Sequence, residues 1–244
     1  MQATRKSLST ELAQEEPVSE HTAIQRIVQR QTVPVETLEY HLFRPRKAHD
    51  PLLESAYDVW REGWRATLLE LEGTTELHSD DFSRQDEIGV IASGGQCVAV
   101  TGIRWLDLSL PRSLEDSYFK TWPGPAVAAV AQRFVSVASN TVVHPDWRGT
   151  LIDAPRGQEG DPTRLAFATV ALSVRRFVAS SADLLIALTR NDRSIDRFAQ
   201  ALGATRLALI QVHGIDTDVI CIERPNATPE GPVMNELWRR RHQG

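Results

Sequence analysis

The sequence predicts an α/β chain, strands and helices mixed around one buried core, on three observations. Two segments open on Asp-Pro and continue with apolar residues at three-to-four-residue spacing, the pattern of amphipathic helices. Around them lie β-branched and alternating runs bounded by Gly, Pro, Asn and Asp, the pattern of strands. At 244 residues and 41% apolar, the chain is long enough for one large domain or two small ones. One main domain over residues 36–224 is expected, with a polar N-terminal extension over 1–35 and a C-terminal tail over 225–244.

Taken in order, the extension is charged and carries a weak helical pattern at Ala23, Ile24, Ile27 and Val28. Tyr40 to Arg44 alternates as a first strand, and Pro45 ends it. Asp50-Pro51 then caps a helix running to about Leu71, with Leu53, Tyr57, Trp60, Trp64, Leu68 and Leu71 on one face. That aromatic stripe fits the core, or else the wall of an acyl slot. An acidic loop comes next, from Glu70 to Glu87. Ile88 to Ala92 and Cys97 to Leu106 form a hairpin around Ser93-Gly94-Gly95-Gln96. Residues 107–125 are irregular and aromatic, and Ala126 to Ala131 fits either helix or strand. Phe134 to Val143 reads as a strand despite Ser136, Ser139 and Asn140, and Pro145 stops it. Leu151 to Asp161 reads as a loop. Asp161-Pro162 repeats the cap-plus-proline signature ahead of a helix with Phe167, Val170, Val174 and Phe177 on one face. Asp183 to Thr189 is a continuous apolar run, hence a buried strand. A short helix over Ile195 to Leu202, closed by Gly203, precedes strands at Thr205 to Val212 and Val219 to Glu223. The basic end, Arg239-Arg240-Arg241, reads as a solvated helix terminus.

Charge and cysteine usage narrow the function. With 27 basic against 32 acidic side chains the net charge is -5, which argues against a general nucleic-acid binder. Cys97 and Cys221 are far apart and lack metal-ligand spacing, so neither a disulfide framework nor a zinc site is suggested. No apolar run reaches the roughly 18 to 20 residues of a membrane span, and the N-terminus lacks a signal peptide's apolar middle; a cytoplasmic protein is expected. Val142 to Thr150 is the stretch with most chemical content. A strand that stops and delivers Arg148-Gly149 ahead of a helix suits a phosphate, because helix N-termini leave N–H groups unpaired and carry partial positive charge. An ordinary strand–helix loop has the same appearance.

The order of elements, with Val143-His144-Pro145-Asp146-Trp147-Arg148-Gly149 and Asn191 through Gly203, resembles the GNAT acyltransferase superfamily over roughly Tyr40 to Glu223. The resemblance implies a mixed, mostly antiparallel central sheet flanked by helices and splayed at the family's strand 4, with the pantetheine arm of an acyl thioester in the splay. Asp80-Asp81-Phe82-Ser83 and Gly102-Ile103-Arg104-Trp105-Leu106 are similar to motifs of acyl-homoserine-lactone synthases and long-chain N-acyl amino acid synthases. Ser83 stands where those families carry a second Asp, and Val137-Ala138-Ser139-Asn140 stands in place of their E-x-S-R. The glycines of the usual pyrophosphate loop are absent after Thr150, and Ala199 occupies the position of the usual tyrosine acid.

Such enzymes acylate an amino acid amine. The resemblance therefore implies acyl-CoA or the acyl-phosphopantetheine of acyl carrier protein as co-substrate, a small amine or amino acid as acceptor, and no metal. The amine must lose a proton, and a carboxylate is a suitable base. Asp80, Asp81, Asp86 and Glu87 are available, with Asp81 and Glu87 taken as catalytic beside Arg104, which would hold an acceptor carboxylate or support the acidic loop. Backbone N–H groups around Val142 and Val143 are suited to the oxyanion. Arg148, Gly149, Arg156, Gly157, Gly160, Thr163, Arg164 and Asn191 complete the expected donor side, an enlarged loop that suits a single carrier phosphate. An acetyl-CoA-dependent N-acetyltransferase and a non-catalytic acyl-thioester-binding module are the alternatives.

Overall fold

Asp50 accepts a hydrogen bond from the Leu52 N–H at 2.8 Å and Pro51 fills the first turn, so α1 (Pro51–Glu72) begins where the sequence places it. The computed structural model describes residues 31–45, 50–77, 80–193 and 195–243. The helical pattern expected at Ala23 to Val28 lies outside the described residues. Before α1 come β1 (Thr32–Pro34) and β2 (Leu38–Phe43). After it come β3 (Glu87–Ser93), β4 (Gln96–Asp107), α2 (Pro111–Leu114), α3 (Gly124–Val130) and β5 (Phe134–Val143). The second half holds β6 (Leu151–Asp153), β7 (Thr163–Arg164), α4 (Leu165–Val178), β8 (Leu184–Arg190) and α5 (Ile195–Ala201). It closes with β9 (Thr205–Val212), β10 (Ile215–Glu223), α6 (Pro232–Arg239) and β11 (His242–Gln243).

Eight strands form the central sheet in the order β11-β2-β3-β4-β5-β8-β10-β9. Its ladders are antiparallel except β5 with β8 and β11 with β2, so the expected mixed, mostly antiparallel sheet is observed. A smaller sheet, β1-β6-β7, stands beside it.

Side-chain alternation gives each face of the central sheet its own cover. On one face Leu38, Tyr40, Leu42 and Leu185 meet Leu165, Leu172 and Phe177 of α4 and Val233, Met234 and Leu237 of α6. On the other, α1 lays Leu52, Leu53, Val59 and Trp60 over Ile88, Val90 and Val100. Farther along that second face, Leu108, Phe119, Trp122 and Val130 cover Val135, Val137, Ile186 and Val219. Trp60 is 2% exposed and packs with Tyr57 and Phe82, so the aromatic stripe is core.

Two expectations are corrected and a third is extended. α4 begins at Leu165, not after Asp161-Pro162, because the chain first makes the β7 bridge to β6. Residues 151–153, expected in a loop, form β6, paired in parallel with β1. The basic residues do end a helix, with Arg239 exposed, but the segment is also part of the fold: α6 buries Val233, Met234 and Leu237 in the core, and β11 joins the sheet beside β2.

α1 crosses β5 closely at one point. A Cβ on Gly63 would collide with the Val142 side chain. Glycine in a helix interior ordinarily costs about 1 kcal/mol against alanine. Here the sign reverses, because Val142 is β-branched and held in its strand. Gly63→Ala is expected to lower stability by about 1–3 kcal/mol through overpacking, measured by urea unfolding; a stabilised variant would show that α1 has room to move off β5.

Candidate active site

The site begins with a miscount between two strands. Gly102 pairs with Ser139 and Val100 with Val142, so β5 advances three residues while β4 advances two. This is a β-bulge. Asn140 within it takes φ 56°, in the left-handed region that Asn tolerates better than most residues. The Thr101 hydroxyl ties the bulge down, meeting Thr141 Oγ1 at 3.1 Å and donating to the Ser139 carbonyl at 3.4 Å.

On its other edge β5 pairs with β8 only from Val135 with Leu184 to Ala138 with Ala187. From Ser139 onward the two strands part, and the expected splay is there. The His144 N–H donates to the Val98 carbonyl on the β4 side at 2.9 Å. Alternation along the strand then directs the Val143 N–H toward the parted edge. The Val142 side chain turns instead against α1.

Helices wall this gap on both faces. α4 packs on β4 and β5, α5 packs on β8, and Phe167 and Phe198 meet edge to face at 5.6 Å. On the opposite face α1 runs past β5, and its end is fastened by Glu70 to Arg193 and by Glu72 to His213.

A polar seam lies beside the bulge, between the two apolar clusters of the α1 face. Val100, Gly102, Arg104 and Leu106 of β4 share this face. Gln85, 2% exposed, occupies the space over Gly102, where a Cβ would come within 2.7 Å of its amide. Its Nε2 donates to the Asp81 carbonyl at 2.8 Å, and its Oε1 accepts from Ser139 Oγ at 3.3 Å. Gln85 thus links the acidic loop to the bulged strand.

Arg104, expected beside the acidic loop or on an acceptor, donates from both Nη atoms to Asp116 of the connection after β4. Asp81 and Asp86 raise its pKa only in smaller measure than that hydrogen bond, so the acidic loop is its secondary neighbour. The Arg104 guanidinium in turn holds the Asp116 carboxyl below the usual carboxylate range. Two of five guanidinium donors are used, leaving donors for a ligand.

The carboxylates differ in how free they are. Asp80 caps its turn by accepting from the Ser83 N–H at 3.2 Å, and Asp86 accepts from the Trp105 N–H at 2.8 Å. Glu87 is placed away from the seam: it is 7% exposed and held bidentately by Arg176 of α4, at 2.7 and 2.8 Å. Its role in the fold is that of a strut between sheet and helix. Asp81 is half-buried, and among the described residues its Oδ1 meets Arg84 at 3.4 Å. Of the four candidate carboxylates Asp80, Asp81, Asp86 and Glu87, it is the one whose oxygens meet no backbone N–H and no close guanidinium among the described residues.

At the start of α4 the sequence-predicted donor residues divide. The Leu165 N–H donates to the Thr150 carbonyl at 3.0 Å, which closes the excursion from 151 to 164 and seats Gly149 and Thr150 beside the helix. Arg148 and Arg164 are exposed, Thr163 is half-buried, and no side chain caps α4. These residues share one neighbourhood, since Arg164 pairs with Leu151. Arg156, Gly157 and Gly160 are carried elsewhere: the Arg156 N–H donates to Glu36 at 3.0 Å, and Gly160 lies against Pro232. That backbone hydrogen bond holds the Glu36 carboxyl below its usual range. Asn191 comes directly after β8, with Nδ2 donating to Asp218 at 3.3 Å and Oδ1 buried without a partner among the described residues.

A second opening of about 560 Å³ lies where β5 ends, between α1 and the β3–β4 turn, with Glu54, Asp58, Glu62, His144 and Trp147 among its walls. Sequence reasoning misses Gln85, Asp116, Ser139, Asn140, Phe167 and Phe198 as site residues. Only Ser139-Asn140 leaves a signal, as polar interruptions in an otherwise β-branched run.

No protein-family model matches the chain, and no curated protein matches it in sequence. Its fold is similar to that of solved acyltransferases, an acyl-homoserine lactone synthase and an N-acyl amino acid synthase among them. The particular likenesses are to two solved structures. BjaI, a CoA-dependent acyl-homoserine lactone synthase solved with SAM and isopentyl-CoA, is 14% identical at a TM-score of 0.53, over 85% of this chain and 93% of its own. FeeM, an N-acyl amino acid synthase from uncultured soil microbes, is 9% identical at a TM-score of 0.52, over 77% of this chain and 91% of its own.

The two ion pairs can each be tested. Asp116 has a depressed folded pKa, so its contribution is complete above the ordinary value of 3.8 and is lost as pH falls through the lower folded value. Asp116→Asn should therefore lower the melting temperature by a constant amount near neutrality, with the gap closing below about pH 4; a gap that widens in acid would refute the pairing. Glu87→Gln leaves the half-buried Arg176 without its anion and is expected to cost about 2 kcal/mol in chemical unfolding.

Proposed function

We propose that the chain is an N-acyltransferase moving a fatty acyl group from acyl carrier protein or acyl-CoA to the amine of an amino-acid-like acceptor. The observation that carries this reading is the bulged β5 parting from β8, with an unpaired strand edge on one side and a polar seam on the other. An extended pantetheine arm fits a parted strand edge because it can take the hydrogen bonds that β8 gives up. The donor's phosphate is assigned to Arg148, Gly149, Thr163 and Arg164 at the uncapped N-terminus of α4, where helix N–H groups and two guanidinium groups attract an anion. The Val143 N–H is assigned to the thioester carbonyl, stabilising the oxyanion as the amine attacks.

On the seam side, Asp81 takes the amine proton, directly or through water; the N–C bond forms, the thioester C–S bond breaks, and the expelled pantetheine thiolate takes its proton from solvent. Arg104, held in place by Asp116, presents its remaining donors to the acceptor carboxylate. Gln85 and Ser139 fix the distance between that pair and the strand edge. Glu87 is left to its structural role. Arg156, Gly157 and Gly160 belong to the brace against Glu36 and α6, and Asn191 to the Asp218 cluster, supporting the donor side from behind.

The test is transfer from decanoyl through palmitoyl thioesters, supplied on coenzyme A and on carrier protein, to a panel of amino acids, read by mass spectrometry. N-acyl products from long-chain donors are expected, with acetyl donors inert. Product only from acetyl-CoA would replace the reading with a small-molecule N-acetyltransferase. Thermal stabilisation by thioesters without any product would make it a binding module; donor at 100 times its dissociation constant adds about 2.7 kcal/mol. Asp81→Asn is expected to lower kcat about 10²- to 10⁴-fold with donor stabilisation intact. A loss within a few-fold would place the base elsewhere.

A further inference from the structure

At the sheet edge remote from the splay, β11 lies parallel to β2 with His242 directly opposite His41. The two imidazole rings stack with centroids 4.6 Å apart. Glu39 stands two residues before His41, on the same side of β2, and its Oε2 lies 3.1 Å from His41 Nε2. One donor atom from each of the three residues falls within 4.8 Å of the other two. Glu39 and His242 are exposed and His41 is half-buried, so an ion can reach the group from solvent.

We propose that Glu39, His41 and His242 form a binding site for a divalent transition metal of the zinc class. Two imidazoles and one carboxylate suit such an ion, whereas Mg²⁺ and Ca²⁺ prefer oxygen-only shells. Bonds of about 2.0–2.2 Å in a tetrahedral shell set neighbouring ligand atoms roughly 3.3 Å apart. The Glu39 to His41 edge already has nearly that length. His242 closes the remaining distance by rotating an exposed side chain, and water completes the shell. A simple ion pair with Glu39 needs one imidazole; the second is brought from the opposite end of the chain by the β11 ladder. The bound ion would fasten the C-terminal strand to β2, and with it α6, whose Val233, Met234 and Leu237 lie in the core beside α4. The site is independent of the acyltransferase reading, and its spacing in sequence gives no sign of it.

The experiment uses the full chain freed of any histidine tag and stripped with chelator. Co²⁺ serves as the optical probe, Zn²⁺ as the calorimetric one. One equivalent of Co²⁺ should produce visible d–d bands that Zn²⁺ abolishes, and Zn²⁺ should raise the melting temperature. His242→Ala, a change at an exposed position, should weaken Zn²⁺ at least about ten-fold and remove the thermal shift, with Glu39→Gln weakening it less. Unchanged metal affinity in His242→Ala would overturn the proposal. So would a sulfur-to-cobalt charge-transfer band, which would assign the ion to Cys97 or Cys221, or the absence of stoichiometric binding.

Discussion

One additional residue in β5, set against two of β4, governs the geometry of this molecule. With it the strand acquires extra twist, leaves β8 after Ala138 and exposes a strand edge inside the domain. A left-handed Asn costs of order 1–3 kcal/mol, and the Thr101 hydroxyl with the ladder on either side of the bulge supplies what holds it. The surrounding helices then accommodate the parting. α1 comes close enough at Gly63 to seal one face, while Phe167 and Phe198 join α4 to α5 across the other.

The chemistry proposed for that gap depends on how completely each charge is engaged. A buried carboxylate with a bidentate guanidinium partner is fixed and has little to offer a substrate, which describes Glu87. A half-exposed carboxylate with one long contact retains lone pairs, which describes Asp81. Arg104 is intermediate. Its bond to Asp116 orients the guanidinium and ties down the long connection after β4 without exhausting its donors.

Local patterns make much of the fold legible. α1, the β3–β4 hairpin, β5, β8 and β9 lie where periodicity and turn residues put them, because each is long enough for its hydrophobic pattern to be decisive. Short elements are not legible: β6, β7 and β11 hold two or three residues each and exist only because a partner strand is present. The start of α4 escapes sequence reasoning for the same reason, since the β6–β7 bridge outweighs a good capping signature at Asp161-Pro162. In the site, Arg104, Arg148 and Gly149 can be picked out as residue types near motifs. Their partners cannot. Asp116 and Gln85 belong to segments without periodicity, and only the tertiary fold shows that one meets Arg104 and the other meets Ser139.

The hydrogen bond from Leu165 to Thr150 has a consequence for how this scaffold can vary. It makes residues 150 and 165 neighbours, and with the β6–β7 bridge it leaves residues 154–162 as an excursion hung on a closed junction. Loop length adds only weakly to the entropy of such a closure. The excursion can therefore lengthen, shorten or change its charges while the helix terminus stays in place. On the proposed reading, whatever residues 154–162 touch is in this way separable from the phosphate contacts assigned to Arg148, Gly149, Thr163 and Arg164, and one can change without the other.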